Sequence, residues 1–372
     1  MKVLYIGYHK ENSDWGQITR NNILSLDKAG VDVVCRGIKV QSSIPSQGRI
    51  LELENKKADD CDVCIQHVFP DSIVGSSKFK KNIAILSNTF LNIRHSSTIE
   101  HLQQVDEVWV PNQDYSDNIG DLVSTKVVPA SCNLEKFKQR YQPIDIPYAR
   151  NKFRLYCFVD SSDSHSLDSI LSSFHSEFDY TDRAVLIIVV TNPSDQARET
   201  VNRAAANVKE TLRLNKDAKD YLKEVIITDN NLSEDHLMAA HQYGHCFIDL
   251  KNSPSATHGV DALGLGSRVI LTNISASKDL LKVTPENQGY PVGFCLKSNK
   301  TTSDSILQMN CGHDFTCLSD DRDLKNSMRS AYNDWEKNPV AFENSAKSTG
   351  FSVCESLSFE SVGSIMKDIL ND

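Results

Sequence analysis

The chain has 372 residues, 40% hydrophobic and 24% charged, which excludes a largely disordered protein and leaves room for two domains with separate cores. Net charge is −9 with no dense Lys/Arg block to offset it, which argues against a broad electrostatic footprint on nucleic acid or anionic membrane. The 10 cysteines are scattered, several inside apolar runs such as "DVCIQ", "RLYCFV" and "HCFIDL", a pattern of reduced core thiols rather than a disulfide framework.

The opening "KVLYIG" (2–7) reads as a strand, too short for a signal peptide or a membrane span. No other apolar run approaches the roughly 20 residues of a membrane helix. A cytoplasmic protein without stable membrane insertion is therefore expected. After the polar loop "YHKENSDWG" a helix is predicted over "QITRNNILSLDKAG" (17–30), with Ile18, Leu26 and Ala29 on its apolar stripe and Gly30 ending it. Further strands read at "VDVVCRG" (31–37), "CDVCIQ" (61–66), "NIAIL" (82–86), "DEVWVP" (106–111) and "STKVVP" (124–129), with a helix over "SSTIEHLQQV" (96–105). Cys61 and Cys64 form a C-x-x-C along a strand, with no second pair at zinc spacing. Cys311, His313 and Cys317 lack an evident fourth partner, so no metal is expected.

Around "YQPIDIPYARNK" (141–152) the periodicity stops and two prolines mark a linker. The grammar then restarts with the strand "FRLYCFV", the helix "SLDSILSSFHSEF" and the buried strand "AVLIIVV". A long helix (194–214), "EVIIT", the helix "SEDHLMAAHQYG", "HCFIDL", a helix within "ATHGVDALGLGS" and "RVILTN" follow. The tail "SFESVGSIMKDIL" reads as an amphipathic helix. Alternating strands and helices imply an α/β chain with parallel sheets covered on both faces. Two Rossmann-like domains, 1–145 and 150–350, are expected to face each other across a cleft, with a C-terminal helix at 355–372 placed to cross back to the first.

Within that frame, "DEVWVPNQDYSDNI" followed by "VVPASCNLEKF", and later "DLKNSPSATHGVDALGLGSRVILTN", resemble the GT-B glycosyltransferases, in particular the family-4 type. The resemblance covers nearly the whole chain in order. It implies a metal-independent, retaining transfer from a nucleotide-diphosphate sugar, with the donor on the C-terminal domain and the acceptor on the N-terminal one. The sugar nucleotide is a substrate, so no cofactor is implied. Such enzymes use an Arg and a Lys after the first strand of the second domain to stabilise the leaving diphosphate; the matching positions here are Ser164 and His165. Of the family's E-x7-E pair, the second acid falls on Asp261 and the first on Ser253, which has no carboxylate. The backbone compensates in principle: Thr257 can cap a helix beginning near His258, Gly259 allows a phosphate to come close, and free N–H groups there favour an anion.

On the acceptor side, Asn88 and Thr89 match the position after a central strand where the family often carries His-Thr, and the Asn88 carbonyl can stabilise a cationic sugar. His67, at another strand end, is the alternative polar candidate for catalysis, with a purely structural role as the competing interpretation. Gly16 resembles the family's glycine loop, and Trp15 can line the acceptor side. Glycan, protein and modified nucleic acid are all acceptors known for this architecture, which viral and bacterial proteins share. The replaced acids and cations keep a second function open, that of a catalytically degenerate GT-B-like binding or scaffold protein.

Overall fold

The structure is a computed structural model describing residues 1–11, 13–39, 43–87, 98–160, 164–191, 195–214, 224–228, 233–251, 253, 255–299 and 314–372. The first half runs β1 (Lys2–Gly7), α1 (Asp14–Lys28), β2 (Asp32–Gly37), α2 (Gly48–Asn55), β3 (Val63–His67), β4 (Lys81–Ile85), α3 (Thr98–Leu102), β5 (Glu107–Val110), α4 (Gln113–Ile119) and β6 (Thr125–Val127). The second runs β7 (Phe153–Val159), α5 (Ser164–Glu177), β8 (Ala184–Val190), α6 (Asp195–Thr211), β9 (Glu224–Ile227), α7 (Glu234–Tyr243), β10 (Cys246–Asp249), α8 (Thr257–Gly264), β11 (Arg268–Thr272), α9 (Ser275–Val283) and β12 (Gly289–Val292). A hairpin, β13 (Phe294–Asn299) and β14 (Asp314–Ser319), precedes three helices: α10 (Asp321–Lys337), α11 (Pro339–Ser356) and α12 (Phe359–Asn371).

Among the described residues the strands form two six-stranded sheets, ordered β2-β1-β3-β4-β5-β6 and β12-β11-β10-β7-β8-β9. The pairings within both are parallel, with Val3 opposite Val33 on one side and Val63 on the other. All seven residues of β8 are buried, as a strand covered on both faces requires. The two facing Rossmann-like sheets are the α/β architecture expected from the sequence.

The helices form where caps and apolar spacing agree. The Ser13 hydroxyl accepts the Gly16 N–H (3.2 Å), so α1 starts at Asp14, three residues before the predicted start at 17. In α10 the Asp320 carboxylate accepts the Arg322 and Asp323 N–H groups, and Leu324, Met328, Ala331, Tyr332 and Trp335 recur on one buried face. That stripe packs into the core of the second sheet beside Phe153 and Phe342. Burying each large apolar side chain contributes about 1.5–3 kcal/mol, so a polar residue at Met328 would weaken the hold of α10 on the sheet.

The last helix belongs to the other core. Val362, Met366, Ile369 and Leu370 of α12 sit with Ile23 and Leu26 of α1 and with Val3 and Tyr5 of β1. The described cysteines are free, and most are buried among apolar neighbours. Cys311 and His313 lie outside the described residues. No described helix is long and apolar enough to cross a membrane.

Candidate functional site

Open parallel sheets bind ligands beyond the carboxyl ends of their strands, where the strand order reverses. In the first sheet that point lies between β1 and β3, and in the second between β7 and β10.

At the first switch point the chain leaves β1 at Gly7 and doubles back before α1. Gly16 accommodates this loop: a Cβ there would stand 2.0 Å from the Glu11 carbonyl oxygen. The Arg20 guanidinium donates to the His9 and Glu11 carbonyls (2.8 and 2.9 Å), holding the loop against the helix. Burial lowers the Arg20 pKa, and the Glu234 carboxylate of α7, in the other domain, opposes that shift. Trp15 is half-buried in an aromatic cluster, with ring centroids 4.9 Å from Tyr8 and 4.6 Å from Phe69. Its indole N–H is buried without a hydrogen-bond partner among the described residues.

His67 is not an exposed candidate base. It is fully buried, its Nδ1 lies 2.9 Å from the Tyr5 hydroxyl and 3.2 Å from Thr19 Oγ1, and its Nε2 lies 2.6 Å from Ser87 Oγ. Burial lowers its pKa to about 3, so the ring is neutral and fully engaged. It ties β1, α1 and the end of β4 together, the structural alternative raised for it above. Asn88 and Thr89, the next residues after Ser87, lie outside the described residues.

At the second switch point α5 begins at Ser164, whose side chain is outside the description, and His165 stands exposed in its first turn. His165 and Leu250, which follows β10, line one hollow of about 260 Å³ with Asp168, Ser319 and Asp321. The residues after β7 and β10 therefore open onto a common crevice, as the topology requires.

The β10–α8 connection differs in detail from the expectation. Ser253 Oγ accepts the Ala256 N–H (3.1 Å), shaping the turn. Ala256 takes the left-handed conformation (φ 48°) as N-cap, without a side-chain cap bond, and α8 begins at Thr257 rather than near His258. Thr257 is not the cap; its Oγ1 pairs with Ser255 Oγ at 2.8 Å. Gly259 points inward, where a Cβ would meet Leu280 and Leu271 at 3.1 and 3.4 Å, so its small size serves packing rather than phosphate approach. Asp261 is 2% exposed, and the Lys136 ammonium lies 2.5 Å from its Oδ1. That pairing replaces the open ribose-binding carboxylate suggested by the family pattern. His258 is half-buried, with its ring edge-on to Phe158 at 5.3 Å. It lies with Asp261 and the buried His241 in a group that could hold a cation.

Two cations thus reach the region that sequence reasoning did not single out. Lys136 lies in "NLEKF", the stretch used for the family resemblance, and Arg20 lies nearly two turns into α1. The domains also clasp at the cleft's other end. Asp114 accepts the Ser275 N–H at the start of α9 (3.0 Å) and pairs with Lys278 (2.7 Å), while Asp279 accepts the Gln113 N–H (3.1 Å). A largely apolar cavity of about 230 Å³ lies beside this clasp, with Pro111, Pro129, Val260, Leu280 and Leu357 in its wall.

Comparison with solved structures places this geometry. The whole chain aligns with sucrose-phosphate synthase from Thermosynechococcus elongatus, at a TM-score of 0.62 and 12% identity over 98% of that protein. It aligns equally with a UDP-forming α,α-trehalose-phosphate synthase from Burkholderia xenovorans (TM-score 0.63, 9% identity, 98% of that chain). HepE from Anabaena, solved in complex with UDP and glucose, gives a TM-score of 0.62 at 9% identity over 99% of its chain. No family model matches the sequence and no curated protein matches it significantly. At these identities the similarity is one of fold, complete across both domains.

Proposed function

We propose that this chain, which has the GT-B fold, is a glycosyltransferase that moves a sugar from a nucleotide-diphosphate donor on its C-terminal domain to an acceptor on its N-terminal domain. The observation that carries the proposal is the pair of helix starts, α5 and α8, following the two strands that flank the second switch point. The α8 start carries no side-chain cap, and His165 in the first turn of α5 lines an open hollow. Backbone N–H groups at such ends attract the diphosphate, each end contributing about 0.3–1 kcal/mol and up to ~2 kcal/mol when partly buried. A charged side chain at the transition state supplies roughly 2–4 kcal/mol. Transfer is therefore expected to be slower than in relatives that keep the Arg and Lys, with His165 as the side-chain donor to the leaving group.

Retention at the anomeric carbon and a diphosphate stabilised without a metal rest on the family resemblance; a cytoplasmic site of action rests on the sequence's lack of a membrane-length apolar run. UDP-sugars are the first donors to test, because HepE was solved with UDP and glucose. Trp15, half-buried at the facing switch point, is suited to stack on a sugar ring. A second proposal, a degenerate binding protein, draws on the sealed His67 and the Lys136-bound Asp261, neither of which is free for chemistry.

One experiment separates the two. The protein is mixed with UDP-, ADP-, GDP- and dTDP-sugars, and thermal shift and nucleoside diphosphate release are followed together. A bound donor at a hundredfold excess over its Kd stabilises by about 2.7 kcal/mol, and release is expected to fall tenfold or more in His165→Ala. Stabilisation without release in every acceptor mixture leaves the binding protein. Stabilisation by none of the nucleotide sugars overturns both the donor site and the transferase.

A further inference from the structure

We propose that His241, His258 and Asp261 form a binding site for a transition-metal ion of the zinc class, with Lys136 as the resident cation when the metal is absent. The proposal stands beside the transferase assignment and does not require it. His241 comes from α7, and His258 and Asp261 stand one turn apart on α8, so two helices converge on one point. One ligand atom from each residue lies within 4.8 Å of the others. His241 Nε2, His258 Nδ1 and Asp261 Oδ1 are all buried; neither histidine nitrogen has a hydrogen-bond partner among the described residues, and Asp261 Oδ1 is met only by the Lys136 ammonium. Leaving one such atom unpaired costs about 1–3 kcal/mol. Two such nitrogens beside a buried carboxylate are better explained by an occupant that takes a lone pair from each of the three residues.

The Lys136 ammonium meets only part of that demand. It forms an ion pair with Asp261 (2.5 Å), but neither histidine nitrogen receives a hydrogen bond from it. His241 is meanwhile prepared from behind. Ser267 Oγ lies 2.9 Å from the His241 carbonyl oxygen and 3.2 Å from that of Gly244, so its single proton is committed to a carbonyl. The Tyr156 hydroxyl must then donate to Ser267 (2.9 Å), which leaves its oxygen to accept from His241 Nδ1 (2.9 Å). That network places the proton on Nδ1 and a lone pair on Nε2, the arrangement by which an outer partner orients a metal-binding imidazole.

Two imidazole nitrogens and one carboxylate oxygen suit zinc or cobalt, not the all-oxygen cages of magnesium or calcium. Tetrahedral bonds of about 2.1 Å put ligand atoms roughly 3.4 Å apart. The site must contract by no more than about 1.4 Å from its 4.8 Å limit, within reach of the half-buried His258. A divalent ion and an ammonium cannot share this pocket. Lys136, whose side chain is 12% exposed, would swing to solvent, so metal binding breaks the Lys136–Asp261 ion pair while Phe137 stays packed against Gly264 of α8.

The test uses the whole chain, stripped of metal by EDTA dialysis and titrated with Co2+ alone. The expected result is one equivalent of bound cobalt with tetrahedral visible absorption, displaced by Zn2+. His258→Ala should weaken binding at least tenfold, and Lys136→Gln should strengthen it severalfold by removing the competing charge. Both variants are compared with the parent by circular dichroism. Lys136→Gln retains every proposed ligand, so it reads out the exchange even where His258→Ala fails to fold. Absence of the tetrahedral spectrum, intense sulfur-to-cobalt bands pointing to the cysteines, or affinity indifferent to Lys136→Gln each overturn the proposal.

Discussion

The Lys136–Asp261 pair predicts an asymmetric double-mutant cycle in metal-free buffer. The Asp261 side chain is 3% exposed and the Lys136 side chain 12%, so the two groups differ in their escape routes. Lys136→Met strands a carboxylate inside α8 with no cation beside it. Removing one partner of a buried pair costs 3–5 kcal/mol, and the residual exposure here favours the lower end, about 3 kcal/mol. Asp261→Asn leaves an ammonium on a four-carbon stem that can turn to water, at a cost of about 1 kcal/mol. The double variant buries no charge and should fall within about 1 kcal/mol of the parent. The coupling, about 3 kcal/mol, then far exceeds the 0.3–0.5 kcal/mol scatter of independent sites. Amide hydrogen exchange of peptides spanning α8 and α11 is the assay, because it reads local opening in a chain with two cores. Lys136→Met should speed exchange there on the order of a hundredfold. Equal costs for the two single variants, or additivity in the double, would refute the burial argument.

Stability should also fall on mild acidification, because burial holds His67 at about 3 and His245 at about 4. Both folded-state values lie below the unfolded value near 6.5, so their contribution is complete above that pH and is lost as pH falls through 6.5 toward 4. Each histidine contributes a slope of about 1.4 kcal/mol per pH unit in that window. Urea midpoints measured from pH 7 to 4.5 should drop steadily, less steeply in His67→Gln, and a flat profile would contradict the assigned burial. Asp114→Ala removes both the Ser275 N–H acceptor and the Lys278 ion pair from the interdomain clasp. The loss is about 1–2 kcal/mol, read as a melting temperature lowered by a few degrees and a larger radius of gyration in solution scattering; no change in either would show the clasp to be inert.

Much of the fold was legible because strand spacing and turn residues are local properties. "AVLIIVV" and "DEVWVP" identify buried strands unaided, and β8 and β5 form there. Less visible were α2, which is only eight residues long, and α11, whose apolar residues are weakly segregated; the stripe of α10 has helical spacing in the sequence and was missed. The site was harder to read, since its character depends on which face of a helix turns inward. Nothing in "THGVDALG" says that Asp261 points at Lys136 or that Gly259 packs on Leu280. Likewise His67 is sealed by Tyr5, Thr19 and Ser87, which come from three separate elements. Only the assembled sheet brings them together.

The return of α12 to the first sheet has a consequence for biosynthesis. Val362, Met366, Ile369 and Leu370 fill a core otherwise built from residues 3 to 128. A ribosome would finish every strand of that sheet while the face awaiting α12 stayed bare for some 230 further residues, from β6 to α12. The N-terminal domain therefore cannot complete its packing in the order in which it is made, unlike the domain-by-domain folding usual during synthesis. Its exposed stripe over Ile23 and Leu26 is a natural landing place for a chaperone until the last helix emerges.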